Sequence, residues 1–145
     1  MKTIRKIASL RETLRAWRHA GETVALVPTL GNLHEGHISL VDLARRQADR
    51  IVVSVFVNPT QFGPGEDYQA YPRTLDHDRR RLTRAGAELL FAPAVDEMYP
   101  RIEDAGTVVS VPGLSSILCG EFRPGHFDGV ASVVSIQTIN RSALA

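Results

Sequence analysis

The feature that most constrains the fold is a pair of apolar, β-branched segments separated by one amphipathic helical segment. Thr23–Val27 (TVALV) is bounded by Gly21 and Pro28, and Ile51–Val57 (IVVSVFV) is nearly all apolar. Such short runs are typical of buried strands. Between them, residues 38–48 place apolar side chains on one helical face and charged ones on the other. The pattern predicts a βαβ unit with parallel strands and a right-handed crossover.

The rest of the chain continues the alternation of helices and strands. Ser9 and Glu12 have the spacing of a capping box, which predicts a first helix that runs to about His19. The other predicted elements are a helix over about Thr74–Ala85, strands over Leu89–Ala92 and Thr107–Val111, a short helix over Gly113–Leu118, and a glycine-rich loop over residues 120–129 before a last helical segment. This order predicts an α/β fold with a parallel sheet.

Composition excludes several classes of protein. The chain has 145 residues, 43% of them hydrophobic, which fits one globular domain with an ordinary core. Its formal net charge of +1 does not favour nucleic acid or an acidic membrane surface as a partner. The single cysteine, Cys119, cannot form an internal disulfide and is interpreted as a small buried residue. Because charges interrupt the N-terminal segment, we expect no signal peptide. No apolar run approaches the roughly 18 residues of a membrane span, so we expect a cytoplasmic location.

The strongest candidate site is Thr29–His37 (TLGNLHEGH), between the first predicted strand and its helix. Ligands of such sheets bind beyond the carboxyl ends of the strands. Gly31 and Gly36 allow close backbone approach, and the helix start offers free N–H groups. His34 and His37 can donate to the same anion, which favours a site for nucleotide phosphates. A helix cap with surface histidines is the alternative; zinc is weaker, because no third ligand is evident.

Two other polar segments follow apolar runs. In Asn58–Phe62, Gln61 offers a donor and an acceptor suited to a substrate with hydroxyl and carboxylate groups. Taken alone, that segment is better interpreted as an ordinary turn. In Cys119–Val130, Arg123 and His126 stand among glycines and a proline, which indicates an anion site or a lid.

A fourth segment, Tyr71–Thr74, leads into the third predicted helix. Arg73 could hold a carboxylate or phosphate, but a helix entry with Thr74 as N-cap explains most of the segment. Asp76 and Asp78 in the first helical turn are possible contacts for a magnesium ion.

Taken together, these segments resemble the pantoate–β-alanine ligase family, within the H-x-G-H nucleotidyltransferases. The matching blocks are VALVPTLGNLHEGH, VVSVFVNPTQF, EDYQAYPRTLDHD, LLFAP and RPGHFDGV, in the family's order. The likeness extends from about Val24 to Val134, with Leu30 where the family usually has methionine. It implies a Rossmann-like fold and a reaction in two steps. ATP and pantoate first give pantoyl adenylate and pyrophosphate, and the amine of β-alanine then displaces AMP to form pantothenate.

The resemblance also implies a role for particular residues. His34 and His37 would contact the phosphates, and His37 is the family's proton donor. Gln61 would bind pantoate and later position β-alanine, while Val130 and Val133 would line the apolar side of the pantoate pocket. Mg²⁺ is expected with ATP, without metal ligands assigned in this chain, and the family is commonly homodimeric. The residues implied in holding ATP are Leu30, Gly31, Asn32, Leu33, His34, Glu35, Gly36 and His37.

The resemblance ends before the chain does. Family members continue through a lysine-containing block and a serine-rich block into a C-terminal domain, whereas residues 135–145 (SIQTINRSALA) depart from the pattern. We therefore expect residues 1–145 to be a truncated amino-terminal domain for nucleotide and pantoate, with an incomplete sheet and little activity alone. The alternatives are a catalytically silent nucleotide-binding fragment and another H-x-G-H adenylyltransferase, such as one of coenzyme A synthesis.

Overall fold

The computed structural model describes residues 1–63, 66, 68–100, 108–113, 115 and 119–142. Within them, the longest helix has 17 residues, and none combines the length and apolar character needed to cross a membrane. The elements in chain order are β1 (Lys2–Ile4), α1 (Ile7–His19), β2 (Val24–Thr29), α2 (Glu35–Arg45), β3 (Arg50–Val55), a 3₁₀ turn (Pro59–Gln61), α3 (Leu75–Ala85), β4 (Leu89–Phe91), α4 (Val95–Met98), α5 (Cys119–Phe122) and α6 (His126–Ser142).

The strands form one parallel sheet in the order β1-β4-β3-β2, which confirms the predicted α/β class. Val27 pairs with Val53 of β3, and Val53 in turn pairs with Leu90 of β4. Strand β2 continues through Pro28 to Thr29, two residues beyond the prediction. It lies at an edge of the described sheet, where a proline is tolerated because its missing N–H faces no neighbouring strand.

Helices cover both faces of the sheet, so apolar side chains of β3 alternate between two cores. Ile51 and Val53 are buried in the cluster beneath α2 and α3, which also holds Val41 and Leu82. Val52 points the other way, into a cluster with residues of α1, β4 and α6. Burial on both faces explains why the sequence of β3 is almost continuously apolar.

Two helix starts differ from their predictions. Helix α1 begins at Ile7, whose N–H donates to Glu97 Oε1 at 2.8 Å, so the predicted Ser9–Glu12 capping box is wrong. The cap comes from α4 because the tertiary fold places that carboxylate at the helix end, where Lys6 also pairs with it at 2.8 Å. Helix α2 spans Glu35–Arg45 rather than 38–48, since His34 provides its N-cap.

The remaining differences lie at the sheet edge and late in the chain. The three-residue strand β1 was not predicted. It pairs with β4 and lies at one edge of the described sheet. Of the predicted strand Thr107–Val111, residue 107 lies outside the described residues, and 108–111 form no strand. Most of the predicted helix Gly113–Leu118 and the side chain of Cys119 also lie outside the described part. The predicted loop over 120–129 is shorter, because α5 ends at Phe122 and α6 begins at His126.

Candidate active site

The turn between β2 and α2 has a backbone that strongly restricts its side chains. Gly31 and Asn32 both have left-handed φ angles, of 87° and 51°. A Cβ atom on Gly31 would lie 3.0 Å from Val55 Cγ1 and 3.3 Å from Asp78 Oδ2. Glycine is therefore favoured at position 31 both by conformation and by the close approach of β3 and α3.

The two histidines of this turn cap α2 with their ring nitrogens. The N–H of Gly36 donates to His34 Nδ1 at 3.1 Å, and the N–H of His34 donates to His37 Nδ1 at 3.3 Å. The ring centroids lie 4.1 Å apart with the planes inclined by 46°. A nitrogen that accepts an N–H carries a lone pair, so each neutral ring holds its proton on Nε2.

This geometry changes the expected source of anion donors. The sequence predicts free backbone N–H groups at the helix start, but those of His34 and Gly36 are bound to the imidazoles. Because each Nδ1 already accepts a backbone N–H, the ring donors left for a ligand are the two Nε2–H groups. His34 is exposed and His37 half-buried, so these two groups on adjacent rings can reach the same ligand.

His37 is held in its neutral form. Burial lowers its pKa below the ordinary value of 6.5, and the neighbouring His34 lowers it further, while the Asp78 carboxylate acts in the opposite direction. Because protonation at Nδ1 would also displace the His34 N–H, the hydrogen-bond geometry favours the same neutral state.

We predict that the pKa of His37, followed by NMR titration of its ring protons, lies below 6.5 in the folded chain. His34→Asn should raise the His37 pKa by removing a neighbouring charge. The pKa should stay below 6.5, because burial is the larger cause of its lowering. Asparagine keeps an N-cap acceptor, which makes it a conservative control.

The lowered pKa of His37 also makes stability depend on pH. As pH falls, the unfolded chain binds the His37 proton before the folded chain does, so the free energy of unfolding should decrease below pH 6.5. A folded-state pKa at or above 6.5 would contradict the arrangement.

Asp78 contacts the turn itself. Its carboxylate is fully buried and accepts hydrogen bonds from the N–H groups of Asn32 (3.0 Å) and Leu33 (2.8 Å). The suggested magnesium role is not supported, because these donors occupy the carboxylate and Asp76 is exposed beside Arg79. In the described part of the chain, no group of three or more His, Cys, Asp or Glu residues could hold a metal ion.

Gln61 is fixed by a buried asparagine. Asn58 is fully buried, and its Nδ2 donates to Gln61 Oε1 at 3.2 Å and to the carbonyl of Gly129 at 3.1 Å. Its Oδ1 accepts the N–H of Thr60 at 3.3 Å, as expected for the N-cap of a 3₁₀ turn. Sequence reasoning interpreted Asn58 as part of an ordinary turn and missed its central place in this network.

The start of α6 holds the same loop from the other side. His126 Nδ1 donates to the carbonyl of Gln61 at 2.8 Å. Arg123 pairs with Glu66, and this contact, together with the N–H of Gly63, lowers the pKa of the Glu66 carboxyl to about 2. The predicted anion of Arg123 is therefore a carboxylate of this chain, and the segment ties α6 to the Gln61 loop.

The other predicted site residues lie at different depths. Val130 is half-buried on α6, whereas Val133 is buried in the core cluster that contains Phe56. Arg73 donates to the carbonyls of residues 68, 69 and 71 and stacks on Tyr68. Thr74 is the N-cap of α3, as predicted, but its hydroxyl donates to Asp78 instead of capping the backbone.

A cleft of about 230 Å³ opens beyond the carboxyl ends of the strands. Leu30 and Gly31 line it on the side of the turn, and Phe56, Tyr68 and Ala92 are among the residues of its other walls. The two histidines and Gln61 are not among the described residues that line it. The cleft therefore reaches the candidate anion turn at Leu30 and Gly31, and Asp78 lines it beside them.

A doubly wound parallel sheet with a histidine pair at the helix start beyond β2 defines an α/β protein with a candidate anion site of the nucleotide-binding type. The family model described as pantoate-beta-alanine ligase matches residues 2–139. The chain belongs to this family. The match extends five residues past Val134, where the sequence analysis placed the end of the resemblance.

Curated relatives agree with this family. The pantothenate synthetase of Shewanella halifaxensis is 58% identical over 134 residues, covering 92% of this chain and 47% of the relative. That of Halorhodospira halophila is 55% identical over 140 residues, covering 97% and 49%. The chain thus spans about half the length of the curated relatives it matches.

Solved structures agree with the fold. The pantothenate synthetase of Thermus thermophilus matches 97% of this chain and 49% of its own with a TM-score of 0.87 and 50% identity. The pantoate-beta-alanine ligase of Francisella tularensis, complexed with beta-gamma ATP and beta-alanine, matches 97% and 53% with a TM-score of 0.88 and 34% identity.

Proposed function

We propose that residues 1–145 form the nucleotide- and pantoate-binding domain of a pantothenate synthetase, an ATP-dependent pantoate–β-alanine ligase. The observation that carries the proposal is the histidine pair, whose Nδ1 atoms are bound to the backbone and whose Nε2–H groups remain for an anion. Family membership supports it, as does the relative solved with beta-gamma ATP and beta-alanine.

In the proposed first step, the carboxylate of pantoate attacks the α-phosphorus of ATP, and pyrophosphate leaves. Negative charge then increases on the phosphate oxygens. Donors that are already oriented stabilise such charge without reorganising, which is the largest contribution in many enzymes. We assign this role to the Nε2–H groups of His34 and His37. The resemblance makes His37 the proton donor, and its neutral ring would fill that role by donating a hydrogen bond to the phosphate rather than by transferring the proton. The turn Leu30–His37 surrounds the phosphates.

Gln61 is proposed to bind pantoate and then to position β-alanine, whose amine displaces AMP in the second step. Its Oε1 already accepts from Asn58, so its Nε2 amide is the group left to donate to a substrate oxygen. Val130 and the buried Val133 would pack against the apolar part of pantoate. The restraint of Gln61 by Asn58 and His126 supports a positioned donor here.

Magnesium enters this proposal with the nucleotide. The described residues do not fit a dedicated protein site for it. Mg²⁺ commonly retains several waters and binds through substrate phosphates. We therefore assign no protein ligand to it and no step of the reaction.

The half of the relatives that this chain does not span is proposed to supply further phosphate contacts. The chain alone should then bind nucleotide with little turnover. A homodimer and a cytoplasmic location are part of the same proposal and rest on the family.

The test uses a chimera in which residues 2–139 replace the matching half of the Thermus thermophilus relative. We expect ATP, Mg²⁺ and D-pantoate to release pyrophosphate, and β-alanine then to give pantothenate. The same assay with phosphopantetheine in place of pantoate tests the alternative activity, that of another H-x-G-H adenylyltransferase such as one of coenzyme A synthesis. Pyrophosphate release with phosphopantetheine but not with pantoate would overturn the proposed function. Rapid turnover by the 145-residue chain alone would overturn the proposal that the other half of the protein supplies necessary phosphate contacts.

A further inference from the structure

The start of α2 is held in place from α3, a helix that sequence reasoning did not connect with the turn. Asp78 lies in the first turn of α3, and each of its carboxylate oxygens accepts one backbone N–H of the turn. Thr74 Oγ1 adds a third hydrogen bond, to Asp78 Oδ2 at 3.1 Å. The carboxylate is fully buried, and none of the ion pairs of the described residues includes it.

A carboxylate in this position has an electrostatic disadvantage if the neighbouring turn binds an anion. Burying a charge without a counter-ion is costly, and a negative charge beside a phosphate site repels its ligand. A neutral amide would avoid both penalties, but it has only one oxygen to accept from two N–H groups. The two-oxygen contact is therefore the property that distinguishes aspartate from its neutral analogue here.

The two backbone N–H groups that Asp78 accepts belong to Asn32 and Leu33, the residues that directly precede His34 in the chain. Asn32 is in the left-handed region, and Leu33 immediately precedes the N-cap His34. Leu33 is buried in the cluster against which Ile38 packs, which is the arrangement of a hydrophobic staple. A carboxylate that fixes Asn32 and Leu33 thus fixes the direction in which the chain enters α2.

A second contact between the helices lies one turn further along α3. Arg81 pairs with Glu35, the first residue of α2. The Glu35 side chain is 88% exposed, so this pair contributes little to the position of the helix. The buried carboxylate is the contact that restrains the turn.

We infer that Asp78 is a positioning residue of the anion site: it orients the Asn32–Leu33 backbone so that the His34 and His37 Nε2–H groups converge on a nucleotide phosphate. The inference rests on the proposed function, since it assigns Asp78 to the same ATP site. The inference assigns Asp78 no direct contact with the nucleotide, because its carboxylate acts through the turn backbone.

The test compares Asp78→Asn with Asp76→Asn, which removes an exposed carboxylate from the same helical turn. Loss of a hydrogen bond to a charged group predicts about a tenfold rise in the ATP dissociation constant for Asp78→Asn, from which the relieved repulsion of the phosphate subtracts only a part. Asp76→Asn should leave that constant unchanged. Binding is measured with Mg-ATP on the 145-residue chain, at a temperature where both variants are folded.

Hydrogen exchange distinguishes positioning from a general loss of stability. Asp78→Asn should lower protection at Asn32 and Leu33 while leaving the amides of β3 protected. Unchanged ATP affinity, or an equal loss of protection throughout the chain, would overturn the inference. If the unmodified chain shows no ATP binding, the proposed function fails first, and the role of Asp78 at that site fails with it.

Thr74→Val provides a second variant if Asp78→Asn does not fold. This substitution leaves the Asp78 carboxylate in place and keeps the shape of the side chain at position 74. It removes the hydroxyl that donates the third hydrogen bond to Asp78. Loss of one hydrogen bond predicts about a threefold weaker affinity for ATP. An affinity equal to that of the unmodified chain would contradict the inference.

Discussion

Gly129→Ala is expected to lower the free energy of unfolding by about 3 kcal/mol, because α6 approaches the Gln61 loop too closely for a side chain. A Cβ atom at position 129 would lie 2.4 Å from the carbonyl oxygen of Thr60 and 2.8 Å from Gln61 Cα. Both are backbone atoms, which cannot move aside by a change of rotamer. Asn58 Nδ2 donates to the Gly129 carbonyl at 3.1 Å, so displacement of α6 would also strain this buried hydrogen bond.

The measurement is denaturant unfolding of the 145-residue chain, with Gly63→Ala as the matched control. Position 63 lies in the same loop region, and no atom of the described residues beyond its chain neighbours lies within 4 Å of an added Cβ. Its substitution should change stability by no more than about 0.5 kcal/mol. In the chimera, Gly129→Ala should also raise the KM for pantoate, because the Gln61 amide would be displaced. Equal stability of the two variants would show that α6 does not lie against the loop as described.

The central part of the fold could be predicted because its signals are local. The run IVVSV has the composition of a strand covered on both faces, and it forms β3. The end of α3 at Gly86 is also encoded locally, since this residue adopts a φ of 81° that favours glycine. Strand β1 has only three residues, too few for a periodic pattern to stand out. Its place in the sheet depends on pairing with β4 rather than on its own sequence.

The sequence could indicate only those parts of the candidate site that are local in the chain. The spacing of His34 and His37 is local, so the sequence places both rings at one helix start. Asp78 bonds to backbone groups 45 and 46 residues earlier, and Glu97 caps a helix 90 residues away. No periodicity or motif reports such contacts, because they exist only after the sheet has brought α3 and α4 to these positions.

The histidine pair itself shows how local pattern and tertiary detail combine. Sequence reasoning set a helix cap and an anion site against each other as alternatives. In the structure each imidazole accepts a backbone N–H of the helix start through Nδ1, which leaves Nε2 for another partner. The two interpretations are therefore compatible, since the two nitrogens of one ring can serve different partners.

Replacing His37 separates these two uses of the ring. His37→Ala in the chimera should lower the rate of pantoate-dependent pyrophosphate release by about a hundredfold or more, the usual cost of losing one oriented donor to a developing charge. The effect should fall mainly on kcat, because the donor is most strongly engaged when charge on the phosphate increases. Pyrophosphate release under saturating ATP and pantoate measures it directly.

Two conservative variants then identify the nitrogen responsible. Asparagine places an acceptor near the position of Nδ1, so His37→Asn can keep the bond from the His34 N–H but lacks an outer donor. Glutamine places an amide N–H near the position of Nε2, so His37→Gln keeps the outer donor and gives up the cap. If Nε2–H acts on the phosphate, His37→Asn should be as slow as His37→Ala, and His37→Gln should retain part of the rate. If capping alone mattered, the order would be reversed, and a His37→Asn chimera as fast as the parent would remove His37 from the chemical step.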